Sequence, residues 1–416
     1  MTSLSIKQKA QQYLVLTIMA LFIGLLVGAI DMIFGQGLLL IGDFRSQHWP
    51  LILFLAIAGL VIVYLYKRFG GKASKGMGLI FDVGHAREEK IPLVLVPLIM
   101  LTTWMSHLFG GSVGREGVAV QIGATLSHRF ARHIKIPDAS RIFLMTGMAA
   151  GFAGLFQTPL AATFFALEVL TVGELQLMAL YPALIASIVA SFTSHALGLE
   201  KFAVPLKETL SWTPETLIKV ALLGLAFGLA GKLFAVSLSW LKKTVAQVLP
   251  NPYIRIALIG AGLSLVLLTL QLTKVGTYSG LGTNLIDMAF HQGSAQSYDW
   301  ILKLLFTVVT ISAGYQGGEV TPLFAIGATL GVFLAPMLGL PVLVVAAIGY
   351  ASVFGSATTT LLAPILIGGE VFGYANLPFF VIACAIAYCL PKEWSIYSGQ
   401  KVAKKYRKEL YKPEII

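Results

Sequence analysis

Long apolar runs recur along almost the whole chain and constrain its fold more than any other feature. About 20 apolar residues suffice to cross a bilayer as a helix, and a spanning chain must satisfy its backbone groups internally. With 57% hydrophobic and only 12% charged residues among 416, the composition excludes an ordinary soluble domain. No polar stretch is long enough to form a second domain, so we predict one all-α polytopic membrane domain over residues 1–416. The runs cover approximately residues 13–42, 50–66, 91–110, 142–170, 174–199, 216–248, 253–272, 300–313, 320–352 and 356–390.

Basic residues are concentrated between and beyond these runs, and they give the chain a formal net charge of +11. Lys and Arg accumulate in cytoplasmic loops of membrane proteins, whereas nucleic-acid binding gathers them on one face of a soluble domain. We therefore expect both termini on the cytoplasmic side, a basic tail over residues 400–416, and no nucleic-acid partner. The basic clusters are Lys7 and Lys9; Lys67, Arg68, Lys72 and Lys75; Arg129, Arg132 and Lys135; and Lys401, Lys404, Lys405, Arg407, Lys408 and Lys412.

The irregular lengths of the runs indicate broken helices. The runs 142–170 and 320–352 are each long enough for two short helices with a break at Gly or Pro. Irregular backbone survives at membrane depth only where protein buries it or where it lines a polar cavity. This pattern favours a transporter or a channel over a simple membrane anchor. The first run is too long for a signal-peptide core, so we expect a retained helix.

Two Gly-rich segments resemble each other and indicate an internal duplication. Residues 110–126 read GGSVGREGVAVQIGATL, and residues 314–330, which lie 204 positions later, read GYQGGEVTPLFAIGATL. A second related pair, GFAGLFQTPLAATF and GYASVFGSATTTLL, follows in the same order. We predict two repeats, over about residues 50–200 and 215–395. Membrane repeats of this kind commonly meet at the bilayer midplane around a substrate site.

Each Gly-rich turn precedes a predicted helix and carries one carboxylate, Glu116 or Glu319. The unpaired N–H groups and the dipole at a helix N-terminus favour an anion, and a carboxylate there can occupy the anion's own site. An ionisable group inside a membrane is a functional hypothesis by default. The alternative is a capping role alone, worth about 0.3–1 kcal/mol. We favour a functional role for both acids and expect Arg115 only to pair with Glu116.

The motifs resemble those of the CLC family of chloride channels and proton-coupled antiporters over about residues 70–400. GGSVGREGV is similar to the family's GREGP motif, GGEVTP stands where the family has GxFxP, and KGMGL stands where it has GSGIP. FQTPLAATFFALEV is similar to the stretch that ends in paired glutamates. The resemblance implies the CLC fold, a homodimer in which each subunit has its own pore between two inverted-topology halves of short, tilted and broken helices.

The resemblance also implies a role for individual residues of this chain. Glu116 falls on the gating glutamate, Tyr397 on the pore tyrosine, and Met77 with Gly78 on the pore-serine turn. Glu168 matches the first paired glutamate, for which we expect an internal hydrogen bond. Without the resemblance, Met77 is typical helix filler and Tyr397 a typical interfacial anchor. The implied anion-binding set is Met77, Gly78, Arg115, Gly117, Val118, Val320, Thr321 and Tyr397, with Glu116 and Glu319 as gating and proton-carrying groups.

Departures from the family pattern narrow the expected substrate. Val118 replaces a proline, Met77 a serine, Glu319 an apolar residue, and Val169 the inner proton-relay glutamate. Together they resemble the fluoride/proton antiporter clade, so we predict fluoride export in exchange for protons across the plasma (inner) membrane of a bacterium. The expected partners are fluoride, protons and lipid, with no cofactor and no metal.

Two alternatives remain open. A chloride/proton antiporter or a chloride channel of the same family shares most of the motifs. A membrane-embedded enzyme using paired carboxylates is more remote, since the sequence contains no HExxH, GxSxG or Walker-type motif.

Overall fold

The computed structural model describes residues 5–273, 278–292 and 294–403, and helices account for most of them. The tail predicted over residues 400–416 is therefore described only as far as residue 403, and its remainder lies outside the described residues. Helices of the first half are α1 (Ile6–Gln47), α2 (Leu55–Leu65), α3 (Met77–Gly84), α4 (Leu95–Leu108), α5 (Glu116–Ala131), α6 (Ala139–Phe156), α7 (Pro159–Glu168) and α8 (Leu180–Ala196). Those of the second half are α9 (Pro214–Val248), α10 (Pro252–Leu272), α11 (Thr283–Asp287), α12 (Asp299–Ala313), α13 (Val320–Leu338), α14 (Val342–Thr358), α15 (Leu362–Phe372) and α16 (Leu377–Tyr388).

Helix lengths vary widely, as the apolar runs predict. In the described ranges, seven helical segments are long and apolar enough to cross a membrane. Helix α1 has 42 residues, whereas α7 has 10 and at 1.5 Å per residue reaches only about 15 Å, half of a bilayer core. Short helices of this kind place their ends at membrane depth, where the surrounding protein must satisfy them.

The predicted breaks are confirmed in both long runs. Run 142–170 divides into α6 and α7 at Gln157, whose φ of 56° ends α6, and Pro159 begins α7, where a missing N–H costs little. Run 320–352 divides into α13 and α14 at Gly339, which has a φ of 62°. Positive φ is easily reached by glycine and ends a helix in the left-handed conformation.

The two halves of the chain meet in a short antiparallel bridge between equivalent residues. The N–H of Gly114 donates to the carbonyl of Gly318 at 2.5 Å, and the N–H of Gly318 donates to the carbonyl of Gly114 at 2.7 Å. Gly114 and Gly318 occupy equivalent positions in the two Gly-rich segments. A local twofold relation between these segments produces a reciprocal antiparallel pair of this kind. This contact, the central bridge, joins the two Gly-rich turns.

Each repeat also contains one very close helix crossing. In the first repeat, Gly123 of α5 lies against Gly147 of α6, and in the second repeat Gly327 of α13 lies against Gly349 of α14. A Cβ added to any of these glycines would overlap a backbone carbonyl of the facing glycine. Small residues allow membrane helices to pack with their backbones in contact, so these four positions bring α5 and α13 close to their partners.

The short helices α7 and α15 cap each other across the two repeats. The Glu168 carboxylate accepts hydrogen bonds from the N–H groups of residues 361–363, at 2.9, 3.1 and 2.8 Å, where α15 begins. The Glu370 carboxylate in turn accepts from the N–H groups of residues 160–161, at 3.1 and 2.8 Å, where α7 begins. The internal hydrogen bonding predicted for Glu168 is confirmed. Both acids satisfy N–H groups that have no carbonyl partner within their own helix.

We predict that Gly147→Ala destabilises the protein because its new methyl group overlaps the Gly123 carbonyl. Overpacking of this kind costs about 1–3 kcal/mol and should lower the midpoint of thermal unfolding in detergent. Gly262→Ala is the matched control, since nothing lies within 4 Å of its added Cβ on the exposed side of α10. Equal midpoints for the two variants would contradict the close crossing.

Candidate functional site

The central bridge brings the N-termini of α5 and α13 together from opposite halves of the chain. Arg115 is the N-cap residue of α5 and Glu319 is the N-cap residue of α13, and neither side chain makes a capping hydrogen bond. The first N–H groups of a helix have no carbonyl partner within the helix. Two helix N-termini, each with the positive end of a helix dipole, therefore face one small region.

The carboxylate of Glu116 lies on the N-terminus of the opposite helix. Only 1% of this residue is exposed, and its Oε2 accepts hydrogen bonds from the backbone N–H of Thr321 at 3.1 Å and from the Thr321 hydroxyl at 2.5 Å. Its Oε1 lies 3.6 Å from Nε of Arg115, so the predicted pairing of these two residues is confirmed. Glu116 thus places its carboxyl group at the beginning of α13, and a helix N-terminus is a position that favours anions.

Two cavities adjoin the beginnings of α5 and α13, and they have no lining residue in common. The Phe202 cavity, of about 450 Å³, is lined by Arg115, Glu116, Phe156, Phe202, Thr283, Asn284, Ile286, Asp287, His291, Thr321 and Tyr350. The Tyr397 cavity, of about 280 Å³, is lined mainly by residues 74–78, 314–317 and 396–399 together with Phe81, Ile99, Gly117, Gln121, Lys242, Ile311 and Glu319. The two predicted acids therefore face different cavities.

Polar atoms without partners line the Tyr397 cavity. Tyr397 is 5% exposed and packs against Phe81 with ring centroids 5.4 Å apart, while its hydroxyl has no hydrogen-bond partner in the described residues. Within the same ranges, Oε1 of Gln121 also has no partner, although its Nε2 donates to the Gly117 carbonyl at 3.1 Å. A buried polar group without a partner is costly, and a small polar ligand in this cavity would relieve that cost.

The predicted site residues divide between these surroundings. Met77, Gly78, Gly117, Glu319 and Tyr397 line the Tyr397 cavity, Arg115, Glu116 and Thr321 line the Phe202 cavity, and the buried Val118 and Val320 line neither. The N–H of Val118 donates to the Arg115 carbonyl at 3.1 Å.

In the aligned repeats, Glu319 is equivalent to Arg115 and Val320 to Glu116. The two acids are therefore not symmetry-related, which explains how they reach different cavities.

Several residues around the site were not predicted from the sequence. Gln121 lies four residues after Gly117 on α5, and Phe81 lies four residues after Met77 on α3. Residues four apart lie on one face of a helix, so the sequence spacing was sufficient to predict that Gln121 and Phe81 face the same cavity as Gly117 and Met77. Lys242 of α9 reaches the same cavity from the other half of the chain, and no local pattern indicates that approach.

A buried lysine also supports the first Gly-rich turn. Lys303 of α12 has no exposed surface and donates to the Ser112 hydroxyl at 2.9 Å and to the Gly280 carbonyl at 2.7 Å. The Gly280 N–H donates in turn to the Gly111 carbonyl at 3.0 Å. These contacts hold the turn before Glu116 against the second repeat.

A model of the voltage gated chloride channel family matches residues 58–392, and the chain therefore belongs to this family of membrane transport proteins. The chain is 36% identical over 384 residues to the "chloride/fluoride channel protein" of Pseudomonas syringae pv. tomato, covering 91% of this chain and 85% of that protein. It is also 26% identical over 321 residues to a voltage-gated ClC-type chloride channel of Salmonella typhimurium, covering 75% of this chain and 74% of that protein.

Solved structures confirm the predicted CLC fold, with its two inverted halves of broken helices. The crystal structure of a CLC-type fluoride/proton antiporter matches with a TM-score of 0.92 and 51% sequence identity, over 96% of this chain and all of that one. A slow cyanobacterial Cl⁻/H⁺ antiporter matches with a TM-score of 0.77 at 20% identity, over 96% of this chain and 99% of that chain, and supports the fold alone. The chain is thus a multi-pass membrane transporter of the CLC family.

Proposed function

We propose that this chain is an antiporter that exports fluoride in exchange for protons. The observation that carries the proposal is the position of the Glu116 carboxylate, which is buried on the N-terminus of α13 and lines the Phe202 cavity, while its neighbour Gly117 lines the Tyr397 cavity. The Glu116 side chain must leave this position for an anion to pass, and it leaves more readily when it is protonated. Its protonation therefore couples the movement of fluoride to the movement of protons.

Protonation changes how strongly Glu116 holds its position. As a carboxylate, it receives two hydrogen bonds from Thr321, and the dipole of α13 favours its charge. A neutral carboxylic acid loses the charge-assisted part of these contacts. The helix N-terminus then favours a free anion over the neutral side chain, and the anion takes the vacated position.

Glu319 makes anion binding in the Tyr397 cavity depend on protonation. A protonated Glu319 donates a hydrogen bond to fluoride, which is small, strongly hydrated and in need of strong donors. A deprotonated Glu319 repels any anion in the same cavity. The unpartnered Tyr397 hydroxyl supplies a further donor close by.

Similarity and local chemistry both support fluoride over chloride. The structure that is 51% identical is a fluoride/proton antiporter, and a relative at 36% identity is named for both ions. Met77 lines the Tyr397 cavity with a thioether in place of the hydroxyl usual in the family, which removes a ligand that chloride would use. A chloride transporter of the same family is the alternative.

The distribution of basic residues supports an orientation in a bacterial plasma membrane. Lys75 and Lys242 line the Tyr397 cavity, and under the positive-inside rule this side faces the cytoplasm together with both chain termini. Fluoride would then enter from the Tyr397 cavity and leave through the Phe202 cavity.

We further propose that the protein is a homodimer with one pathway in each subunit, as family resemblance implies, and that residues 50–200 and 215–395 are its two repeats.

Glu116→Gln should abolish proton coupling, because the neutral side chain binds and releases no proton at the gate. The measurement is fluoride efflux from proteoliposomes, read with a fluoride electrode while proton uptake is followed in parallel. Proton movement per fluoride should fall to background. Glu168→Gln is the matched control, since this buried acid accepts only backbone N–H groups and should retain coupling. Intact coupling in Glu116→Gln would refute the gating role.

Glu319→Ala should reduce fluoride transport much more than it reduces stability. A hydrogen bond to a charged group contributes about 1.5–3 kcal/mol, which corresponds to roughly 10- to 150-fold in binding. Initial fluoride flux against concentration, together with the thermal unfolding midpoint, separates the two effects. A normal flux would refute a role of the Glu319 side chain in fluoride transport.

Met77→Ser should relax selectivity against chloride, because it restores a hydroxyl ligand in the Tyr397 cavity. One added hydrogen bond to an ion predicts a shift of about tenfold in the fluoride-to-chloride flux ratio. Parallel measurements with fluoride and chloride electrodes provide the ratio. If the ratio does not change, Met77 only fills space. Equal fluoride and chloride fluxes in the unmodified protein would instead favour the chloride alternative.

A further inference from the structure

A large cavity outside the ion pathway lies between the segment before α4 and the end of α5. Its volume is about 730 Å³. It has no lining residue in common with the Phe202 cavity or the Tyr397 cavity. Its lining residues are Lys72, Glu89, Lys90, Ile91, Pro92, Leu93, His128, Arg129, Ala131, Arg132 and Ser140.

Positive charge in this cavity is only partly neutralised. Lys72 pairs with Glu88 at 2.6 Å, and this hydrogen bond holds the pKa of the Glu88 carboxyl below its usual range. Within the described part of the chain, Lys90, Arg129 and Arg132 have no carboxylate within 4 Å. Glu89 is the one acid in the lining, so the cavity retains an excess of cations that an anion would neutralise.

An exposed apolar stripe leads away from the same cavity along α4. Leu93 lines the cavity and is 45% exposed, Pro97 is also exposed, and Leu101 is 46% exposed. Pro97 and Leu101 are four residues apart on α4 and therefore lie on one face of that helix. The turn at Leu93 leads directly into that helix, since the N–H of Val96 donates to its carbonyl at 3.1 Å. In a membrane protein, such a stripe faces lipid acyl chains.

We propose that this cavity binds one anionic phospholipid, with its phosphate among Lys90, Arg129 and Arg132 and an acyl chain along the stripe Leu93, Pro97 and Leu101. The excess of cations in the cavity favours an anionic headgroup. The ligand must also have an apolar chain, because the stripe continues directly from the cavity. A soluble phosphate would use the cations but leave the stripe unused. The site does not depend on which ion the protein transports.

The test compares binding of phosphatidylglycerol and phosphatidylcholine, measured by native mass spectrometry of the full chain titrated with each lipid in detergent. Phosphatidylglycerol should bind more tightly. Each cation near an anionic headgroup contributes about fivefold, so Arg129→Gln/Arg132→Gln should weaken phosphatidylglycerol binding about 25-fold and leave phosphatidylcholine binding unchanged. Lys7→Gln/Lys9→Gln is the matched control, because it removes two exposed lysines elsewhere and should have little effect.

Two further arms distinguish a lipid site from a simple anion site. Leu101→Asn disturbs only the stripe and should weaken binding of phosphatidylglycerol without changing competition by glycerol phosphate. Glycerol phosphate itself should displace the lipid only at far higher concentration. Equal binding of the two lipids, equal losses in the two double variants, or displacement by glycerol phosphate at matched concentration would each overturn the proposal. Unchanged thermal unfolding midpoints show that the variants remain folded.

Discussion

Two backbone hydrogen bonds between Gly114 and Gly318 are the contact on which the rest of the site depends. They fix the beginnings of α5 and α13 side by side, so that a side chain leaving one helix reaches the N-terminus of the other. Glycine is required on both sides, because a Cβ at Gly114 would lie 2.9 Å from the Gly318 carbonyl and a Cβ at Gly318 3.0 Å from the Gly117 nitrogen. The Thr321 contact of Glu116 follows directly from this geometry.

The same chemistry appears in two settings with opposite consequences. Glu168 accepts three backbone hydrogen bonds at the beginning of α15 and Glu370 accepts two at the beginning of α7, and both acids thereby stabilise helix ends. Glu116 also lies on a helix N-terminus, but its Oε1 has no hydrogen-bond partner in the described residues and a cavity adjoins it. A carboxylate with hydrogen bonds to both oxygens stabilises structure, whereas the proposed function requires that the carboxylate beside a cavity be exchanged for another anion.

The lengths of the apolar runs, together with the Gly and Pro residues that interrupt them, predicted much of the fold correctly. A break within each of the runs 142–170 and 320–352 was expected from the run lengths, although not its position, and the duplicated motifs indicated two halves that meet at their Gly-rich turns. The site was harder to predict. The residues of the Tyr397 cavity come from α3, α4, α5, α9, α12, the turn before α13 and the segment after α16, and only motif resemblance linked Met77 and Tyr397 to the others. Lys242 and Lys303 carry no local signal, because long-range packing brings them to the turns.

The sequence by itself determined that the chain is an all-α membrane protein with repeated turns suited to anions, because apolar run length and glycine placement are local properties. Tertiary structure alone decided that Glu116 and Glu319 face different cavities, with the termini of α5 and α13 between them. The two acids are one position out of register between the repeats, and a shift of one residue at a helix N-terminus turns a side chain by about 100°. That rotation becomes visible only once both helices are packed against the central bridge.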